Sequence, residues 1–568
     1  MKRLYLSNVS DDFDANNDIL LGPWCFLGLE EQYPGWELLE FPPDPFFSTQ
    51  ILSRFANITV QYANETIPIL ANRLNYENKS TYSEIFWKIL LLPWLLTLIQ
   101  VVYDHQCRVE WLIRQYADKE VSVVLVKDDV QWLFKDTEDF ITNGPLNWVF
   151  NDWLYSRLIE KMKPEKWKVS YSAEPKLENQ NHHDTPKNIK DFAKWFLRQF
   201  APRCYGVYGI GPLASIVWSA FLSIKPRFRD TLDYNKQDIY GSTKIESEHI
   251  IWSVDFENLI EQTMPTCFKE ISTLNNGFVR PKFDKIRIVG PVTWYQEREK
   301  FQLANAIDKG EKIFITQHGG LYGTAKVFSL VGATEYNYSH FISWGWTKQE
   351  EYTGNIVALP SPYLSRFANK HKQQNNNLIV VGTRANLYLY RFDSMPQALQ
   401  QLSYRQSKNE FFSNLNSKIF SNTFYRPYSN DGASLIDRPY YETRFPGLKM
   451  CEGDLHSQIL KCKLLVLDHP VTTLNISMAA NIPMIGFWDK KAWAMCRQAI
   501  PFFDELEQVG IIFETGEEAA KKVNEIWGNV QEWWNQPEIQ SARKSWCYQY
   551  ARTSKTWWLD WIKFLWRI

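Results

Sequence analysis

A histidine that could move a proton stands at the end of a β-branched run: Lys312-Ile313-Phe314-Ile315-Thr316 leads into Gln317-His318-Gly319-Gly320-Leu321-Tyr322-Gly323. Imidazole titrates near neutrality, so His318 is placed to take the proton of a sugar hydroxyl. Gly319 and Gly320 allow a ligand close to the main chain, and a helix starting after them would offer N–H groups to an anion. The plainer reading is a tight turn whose histidine bonds its own loop. Arg384, in Gly382-Thr383-Arg384, and Arg426, in Tyr425-Arg426-Pro427-Tyr428, sit at strand ends and suit a phosphate, because guanidinium grips phosphate oxygens in pairs. Each alone could equally be a solvated surface cation, and Arg438 and Arg444 enlarge the basic set. Thr472 and Thr473, in Asp468-His469-Pro470-Val471-Thr472-Thr473, stand at a helix start, where a hydroxyl caps the helix or donates to a phosphate.

Other chemistries find less support. The eight cysteines, at 25, 107, 204, 267, 451, 462, 496 and 547, form no Cys-x-x-Cys pair, so neither a structural zinc site nor a disulfide framework is expected. Asp12-Phe13-Asp14 has the form of a metal–nucleotide motif but lies in an acidic loop, and a metal role is discounted. Tyr205-Gly206-Val207-Tyr208-Gly209-Ile210-Gly211 lacks the acidic ribose-binding residue of a dinucleotide fingerprint. Neither Gly-x-Ser-x-Gly nor a Walker A sequence occurs, which weighs against hydrolase and P-loop readings.

The elements that must position these residues alternate from about residue 285 onward. Ile286–Val289, Lys312–Thr316, Phe341–Trp344, Leu378–Val381, Leu464–Leu467 and Met484–Phe487 read as buried parallel strands separated by helices. Such alternation predicts doubly wound sheets, whose ligands sit beyond the carboxyl ends of the strands. Upstream, Arg3–Leu6 and Val121–Val126 read as strands, while Gln50 to Tyr116, Leu146 to Met162 and Ile189 to Phe200 are helical in spacing. Residues 164–188, with the solvated pair His182 and His183, read as a surface linker, and Asn369–Asn377 as a linker into a second domain. The most apolar stretch, Ile89 to Val102, is interrupted by Pro93 and Gln100 and falls short of the roughly 20 residues that span a bilayer; a buried helix is expected.

At 568 residues the chain allows two or three domains. Lys and Arg number 63 against 64 Asp and Glu, a net charge of −1, whereas a dedicated nucleic-acid binder carries a basic excess. The 25 tryptophans either stack on sugar rings or fill the core, and filling is the commoner use. The opening Met1-Lys2-Arg3-Leu4-Tyr5-Leu6 runs into Asp11, Asp12 and Asp14 without the apolar region of a signal peptide, so a cytoplasmic address is expected.

Taken together, the chain resembles a family of transferases encoded in bacterial O-antigen and other surface-polysaccharide clusters. The matching pieces are Leu21–Cys25, Gln317–Gly323, Ser343–Trp346, Arg444–Pro446, Asp468 with Thr472-Thr473, Asn481–Pro483 and the tail from Ala519 to Trp561. More distantly, the order of stations is similar to GT-B transferases of capsule and teichoic-acid assembly. That resemblance implies His318 as catalytic base, and Arg384, Arg426-Pro427, and Asp468 with Thr472 and Thr473 as holders of the donor's phosphates. The sequence departs from the pattern at Tyr428, where a histidine is expected, and carries His469-Pro470 instead.

The implied fold is α/β and GT-B-like: two doubly wound Rossmann-like domains facing a cleft. The N-terminal domain would span 1–345, enlarged by helical insertions at about 50–280; the nucleotide-binding domain would span 346–545; and a helix at 546–568 would pack back on the first. The implied reaction moves a sugar from a nucleotide-sugar donor to a glycan or lipid-linked glycan, with Gly319 and Gly320 beside the donor and no metal or other cofactor. Two alternatives are a CDP-polyol phosphotransferase on the same scaffold and a non-catalytic glycan-binding assembly protein. The tail Trp561–Ile568, mixing bulky apolar residues with two cations, either docks on the N-terminal domain or touches the inner membrane peripherally.

Overall fold

Runs such as Leu378-Ile379-Val380-Val381, apolar at every position, suit strands covered on both faces, and such strands pair in parallel. Among the described residues, the computed structural model holds three wholly parallel sheets. It describes all residues except 47, 128–129, 173–200, 202, 225–248, 276–284, 292–293, 337–339, 351, 353–354, 385, 394–395, 397, 429–433 and 568.

The first sheet orders β1 (Lys2–Tyr5), β2 (Ile19–Leu20), β3 (Val121–Leu125) and β4 (Trp167–Tyr171) as β2-β1-β3-β4. Strand β4 lies inside the segment read as a linker. Its polar, largely exposed Lys168, Ser170 and Tyr171 hide the apolar alternation of an edge strand. The rest of that segment from residue 173, with His182, His183 and the helix expected at 189–200, lies outside the described residues. Between β2 and β3 run the helices Thr49–Glu77 and Glu84–Tyr116, packed together. The second is long and apolar enough to cross a membrane, but its Ile89 to Val102 stretch is buried inside the protein. Lys300, itself buried, donates to the Leu90 carbonyl of this helix at 3.0 Å and pairs with Glu297 at 2.8 Å.

The second sheet runs in chain order: β5 (Cys204–Tyr205), β6 (Ile286–Val289), β7 (Lys312–Thr316), β8 (His340–Ser343) and β9 (Ile356–Ala358). The N-terminal part therefore carries two sheets and not one enlarged by helices alone. Because β9 pairs with β8, this sheet also continues beyond residue 345, where the sequence suggested a boundary.

The third sheet contains β10 (Leu378–Val381), β11 (Thr423–Arg426), β12 (Lys449–Met450), β13 (Leu464–Leu467), β14 (Met484–Phe487) and β15 (Ile512–Phe513). Their order is β12-β11-β10-β13-β14-β15. The chain winds outward from β10 to β12, then returns to the other side of β10 with β13, so this sheet is doubly wound and its switch point lies between β10 and β13. The Asn369–Asn377 segment is no free linker: its backbone donates to Ala479, Ala480 and Leu460 carbonyls at 2.9, 3.1 and 3.0 Å.

Main-chain hydrogen bonds stitch the two halves together, Lys326 to Ala494 at 2.9 Å and Cys496 to Thr324 at 2.8 Å. The loop after β10 also plunges into the N-terminal half: Tyr388 packs on Trp24 at 5.2 Å and Phe392 on Phe46 at 4.6 Å between ring centroids. The tail consists of two helices, Pro537–Tyr550 and Trp557–Arg567, in place of one. The first packs on the Thr472–Ala480 helix, where Trp546 donates to Asn475 at 2.9 Å. The second returns to the second sheet, burying Trp561 and Leu565 with Ile288 and Phe314. Trp24, Trp87, Trp94, Trp153, Trp346, Trp534, Trp546 and Trp561 are all fully buried, so core filling is a main use of the tryptophan surplus.

Candidate functional site

Three strands that end side by side bring together residues far apart in sequence. Beyond the carboxyl ends of β10, β11 and β13 opens a cavity of about 890 Å³, at the switch point of the doubly wound sheet. Thr383 and Arg384 reach it from β10, Arg426 and Tyr428 from β11, and His469, Thr472 and Thr473 from β13. Leu321 lines it from the N-terminal half, and Tyr390, Arg391 and Asp393 from the loop after β10.

The Thr472–Ala480 helix starts at this cavity, and its N-cap residue Val471 supplies no side-chain hydrogen bond to the first turn. The opening N–H groups and the positive end of the helix dipole thus meet the cavity together with the two threonines. Arg426 is held in place by donating Nη1–H to the Cys451 carbonyl at 2.8 Å. Arg391 lies over the Trp294 and Tyr390 rings, 4.9 Å from each centroid. Two acidic residues on the lining are engaged: Asp393 accepts from the Ser329 amide, the Ser329 hydroxyl and the Leu330 amide at 2.9, 2.6 and 3.0 Å, and Glu452 pairs with Arg438. Arg444 is exposed and not part of the lining. The net field in the cavity is positive.

Asp468 lies behind this surface and not on it. It accepts from the Tyr404 hydroxyl at 2.7 Å, pairs with Lys408 at 2.9 Å and accepts Nδ1–H of His469 at 2.7 Å. Burial would raise its carboxyl, but Lys408 and His469 outweigh that and hold it below the usual carboxylate range. Asp468 therefore orients His469, and the His469 ring is what reaches the cavity. Lys408 also donates to the Tyr425 hydroxyl at 2.8 Å and pairs with Asp437 at 3.2 Å, tying β11 and β13 to the Gln400–Ser413 helix. A side chain at Gly382 would strike the Tyr425 hydroxyl, so glycine there makes room for this buried cluster.

Gly320 has a different contact from the one its sequence suggests. Its N–H donates to the Thr472 hydroxyl at 3.1 Å, and a Cβ there would collide with the backbone of Val471 and Thr472. The residue is a point of close approach between the two halves, and Gly319 lies beside it near Thr472.

His318 stands next to this junction, half-buried, beside the cavity but not on its lining. Its ring is enclosed by Tyr322, Trp294 and Tyr208, with centroids at 5.1, 5.5 and 6.0 Å. Burial first, then the nearby Arg391 charge, lower its pKa to about 4. The Tyr322 hydroxyl donates to Glu335 at 3.1 Å and lies 2.9 Å from His318 Nδ1. Through that hydroxyl His318 Nδ1 is linked to Glu335. Burial raises Glu335 to about 8, so at neutral pH it is uncharged and does not draw a proton onto the imidazole.

Arg384 and the threonines were legible because each follows soon after an aliphatic run, Leu378–Val381 or Leu464–Leu467. Sequence reasoning passed over Lys408, Arg391, Glu335 and the role of His469. Lys408 sits mid-helix, where lysine is commonplace, and Glu335 is joined to His318 only through Tyr322. The Tyr390-Arg391 pair was the one usable local signal, since arginine stacks on aromatic faces.

Two α/β parts thus meet over a cavity at strand carboxyl ends. Among solved structures, a mutant O-GlcNAc transferase from Thermobaculum terrenum is similar at 11% identity, over 92% of this chain and 85% of that one, with a TM-score of 0.28. No curated protein matches the chain. The model of the LIC12162 family transferases matches residues 2–565, and the chain accordingly belongs to that family of transferases.

Proposed function

We propose that this transferase is a glycosyltransferase that moves a sugar from a nucleotide-sugar donor to a glycan or lipid-linked glycan acceptor in surface-polysaccharide assembly. The observation that carries the reading is the cavity at the β10/β13 switch point, where Arg384, Arg391 and Arg426 converge on an uncapped helix N-terminus bearing Thr472 and Thr473. That set suits a diphosphate. As the bond to the sugar breaks, negative charge grows on the leaving nucleotide, and fixed cations and N–H dipoles lower the barrier to the extent that they hold that charge better than the ground state. The arginines supply the neutralisation for which other transferases use a metal ion. His318, uncharged at neutral pH, would take the acceptor's hydroxyl proton as the oxygen attacks.

On this reading the protein works in the cytoplasm, at the inner face of the membrane when its acceptor is lipid-linked. Leu213, Val217 and Trp566, all largely exposed, are the apolar side chains that would meet such a surface.

The test is thermal-shift binding of CMP, CDP, UDP, GDP and their sugar conjugates, with Arg426→Ala as control, followed by mass analysis of the product. A nucleotide that binds the folded state raises the melting temperature, and the shift should vanish in the variant. Flat traces across the panel would overturn the donor assignment. A product heavier by a phosphate-linked polyol, and not by a sugar, would replace sugar transfer with phosphoryl-polyol transfer.

A further inference from the structure

All-parallel sheets are normally covered on both faces, and among the described residues one face of the first sheet is left partly open. Leu4, Val121, Val123, Leu125 and Trp167 are buried on one face, while on the other Ser122 is half-buried and Val124 and Ser170 are exposed. Over this open face, toward the carboxyl ends of β1, β3 and β4, lies a second cavity of about 570 Å³. That is room for a small organic ligand. It shares no lining residue with the cavity at the third sheet.

The lining defines the chemistry. Ser7, Asn8, Ser170 and Ser172 bring side chains that both donate and accept hydrogen bonds. Asp152 reaches in from the Trp148–Met162 helix. Its Oδ2 accepts from the Ser7 hydroxyl at 2.8 Å, while Oδ1 is buried and meets no hydrogen-bond partner among the described residues. A buried oxygen in that state gains from a ligand donor. Burial pushes this carboxyl up to about 7, with Ser7 offsetting only part. Trp148, 42% exposed, stands on the lining as a flat apolar platform. Among the described residues the one cation on the lining, Arg3, is committed to Asp12 and Asp18, so the described lining offers no free charge to a phosphate. A ligand rich in hydroxyls, with an apolar ring face and no charge, satisfies all of these groups together.

We infer that this cavity is a binding site for a neutral saccharide, with Asp152 and the surrounding hydroxyls on the sugar's O–H groups and Trp148 against its C–H face. The site is separate from the transfer cavity and stands whether or not the protein transfers a sugar.

The test is saturation-transfer NMR on the full chain with the methyl glycosides of glucose, galactose, mannose and N-acetylglucosamine, and with glucose 1-phosphate. At least one methyl glycoside should bind. Asp152→Asn and Trp148→Ala should each weaken it roughly tenfold, Arg426→Ala should leave it unchanged, and the phosphate ester should bind no better than its methyl glycoside. If Asp152→Asn does not fold, the solvent-facing Trp148→Ala carries the test, with circular dichroism as control. Absence of transfer to every glycoside, a signal indifferent to Trp148→Ala, or one lost in Arg426→Ala would overturn the assignment. Arg426→Ala also separates the two cavities, because it removes nucleotide binding alone.

Discussion

A histidine held neutral down to about pH 4 is a ready base throughout the neutral range, at the cost of being a weak one. Its folded pKa lies below 6.5, so the unfolded chain takes up a proton first as pH falls, and what His318 contributes to stability is lost between about pH 6.5 and 4. NMR titration should show the His318 ring unprotonated at pH 6, and kcat/KM should show no acid limb near 6.5 from this residue. His318→Ala should lower kcat by about 10² to 10⁴, with Tyr322→Phe costing less, both without unfolding. Full activity in His318→Ala would remove the base from the mechanism. At the junction, Gly320→Ala forces a methyl into the Val471–Thr472 backbone, and overpacking of this kind costs about 1–3 kcal/mol, measurable by urea unfolding. Nucleotide affinity should fall with it, since the same shift displaces Thr472.

At the scale of the element, the buried charges under the third sheet fix where its strand ends point. Lys408 neutralises Asp437 and Asp468 at once, and Arg405 adds a second contact to Asp437 at 3.2 Å. Lys408→Met leaves two buried carboxylates facing one remaining arginine, and breaking such a pair from one side costs about 3–5 kcal/mol. Urea unfolding should register that loss, together with a weaker nucleotide shift as His469 loses its orientation. A stability loss under 1 kcal/mol would mean that the cluster carries little of the fold. Strands β6, β7, β10, β13 and β14 were legible to the residue in the sequence, because each is four or five residues long and mostly aliphatic, aromatic or β-branched. Strands β4, β5 and β9 were not. The first is an edge strand with an exposed face, and the others have only two and three residues, too few for a period to show. The first sheet as a whole stayed hidden because β2 has only two residues and β3 lies beyond two long helices, and strand pairing across such distances is tertiary information.

For the whole molecule, the last helix and the loop after β10 each bury apolar side chains that join distant parts of the chain. Removing the Trp557–Arg567 helix uncovers Ile288 and Phe314 beneath Trp561 and Leu565, so a chain ending at residue 555 should aggregate or melt at lower temperature in size-exclusion and thermal assays. Phe392→Ala empties a ring-lined pocket between the halves and should cost about 3–5 kcal/mol. At the candidate site the legible residues were those just after a strand, His318 in the N-terminal half and Arg384, Thr472 and Thr473 in the C-terminal half. Residues that act next to a strand end announce themselves, while the partners that tune them arrive from other elements.

The loop that carries Tyr388, Leu389 and Phe392 out of β10 and into the N-terminal half also bears Tyr390 and Arg391 on the cavity wall. A two-lobed enzyme that works like a clamshell swings its lobes apart to release product. Here the middle strand of one lobe is rooted in the other by three buried side chains, and such a swing would pull them into water. Exchange of substrate and product therefore has to pass through the mouth of the cavity while the halves stay together, past the exposed Arg438 and Tyr428 at its edge.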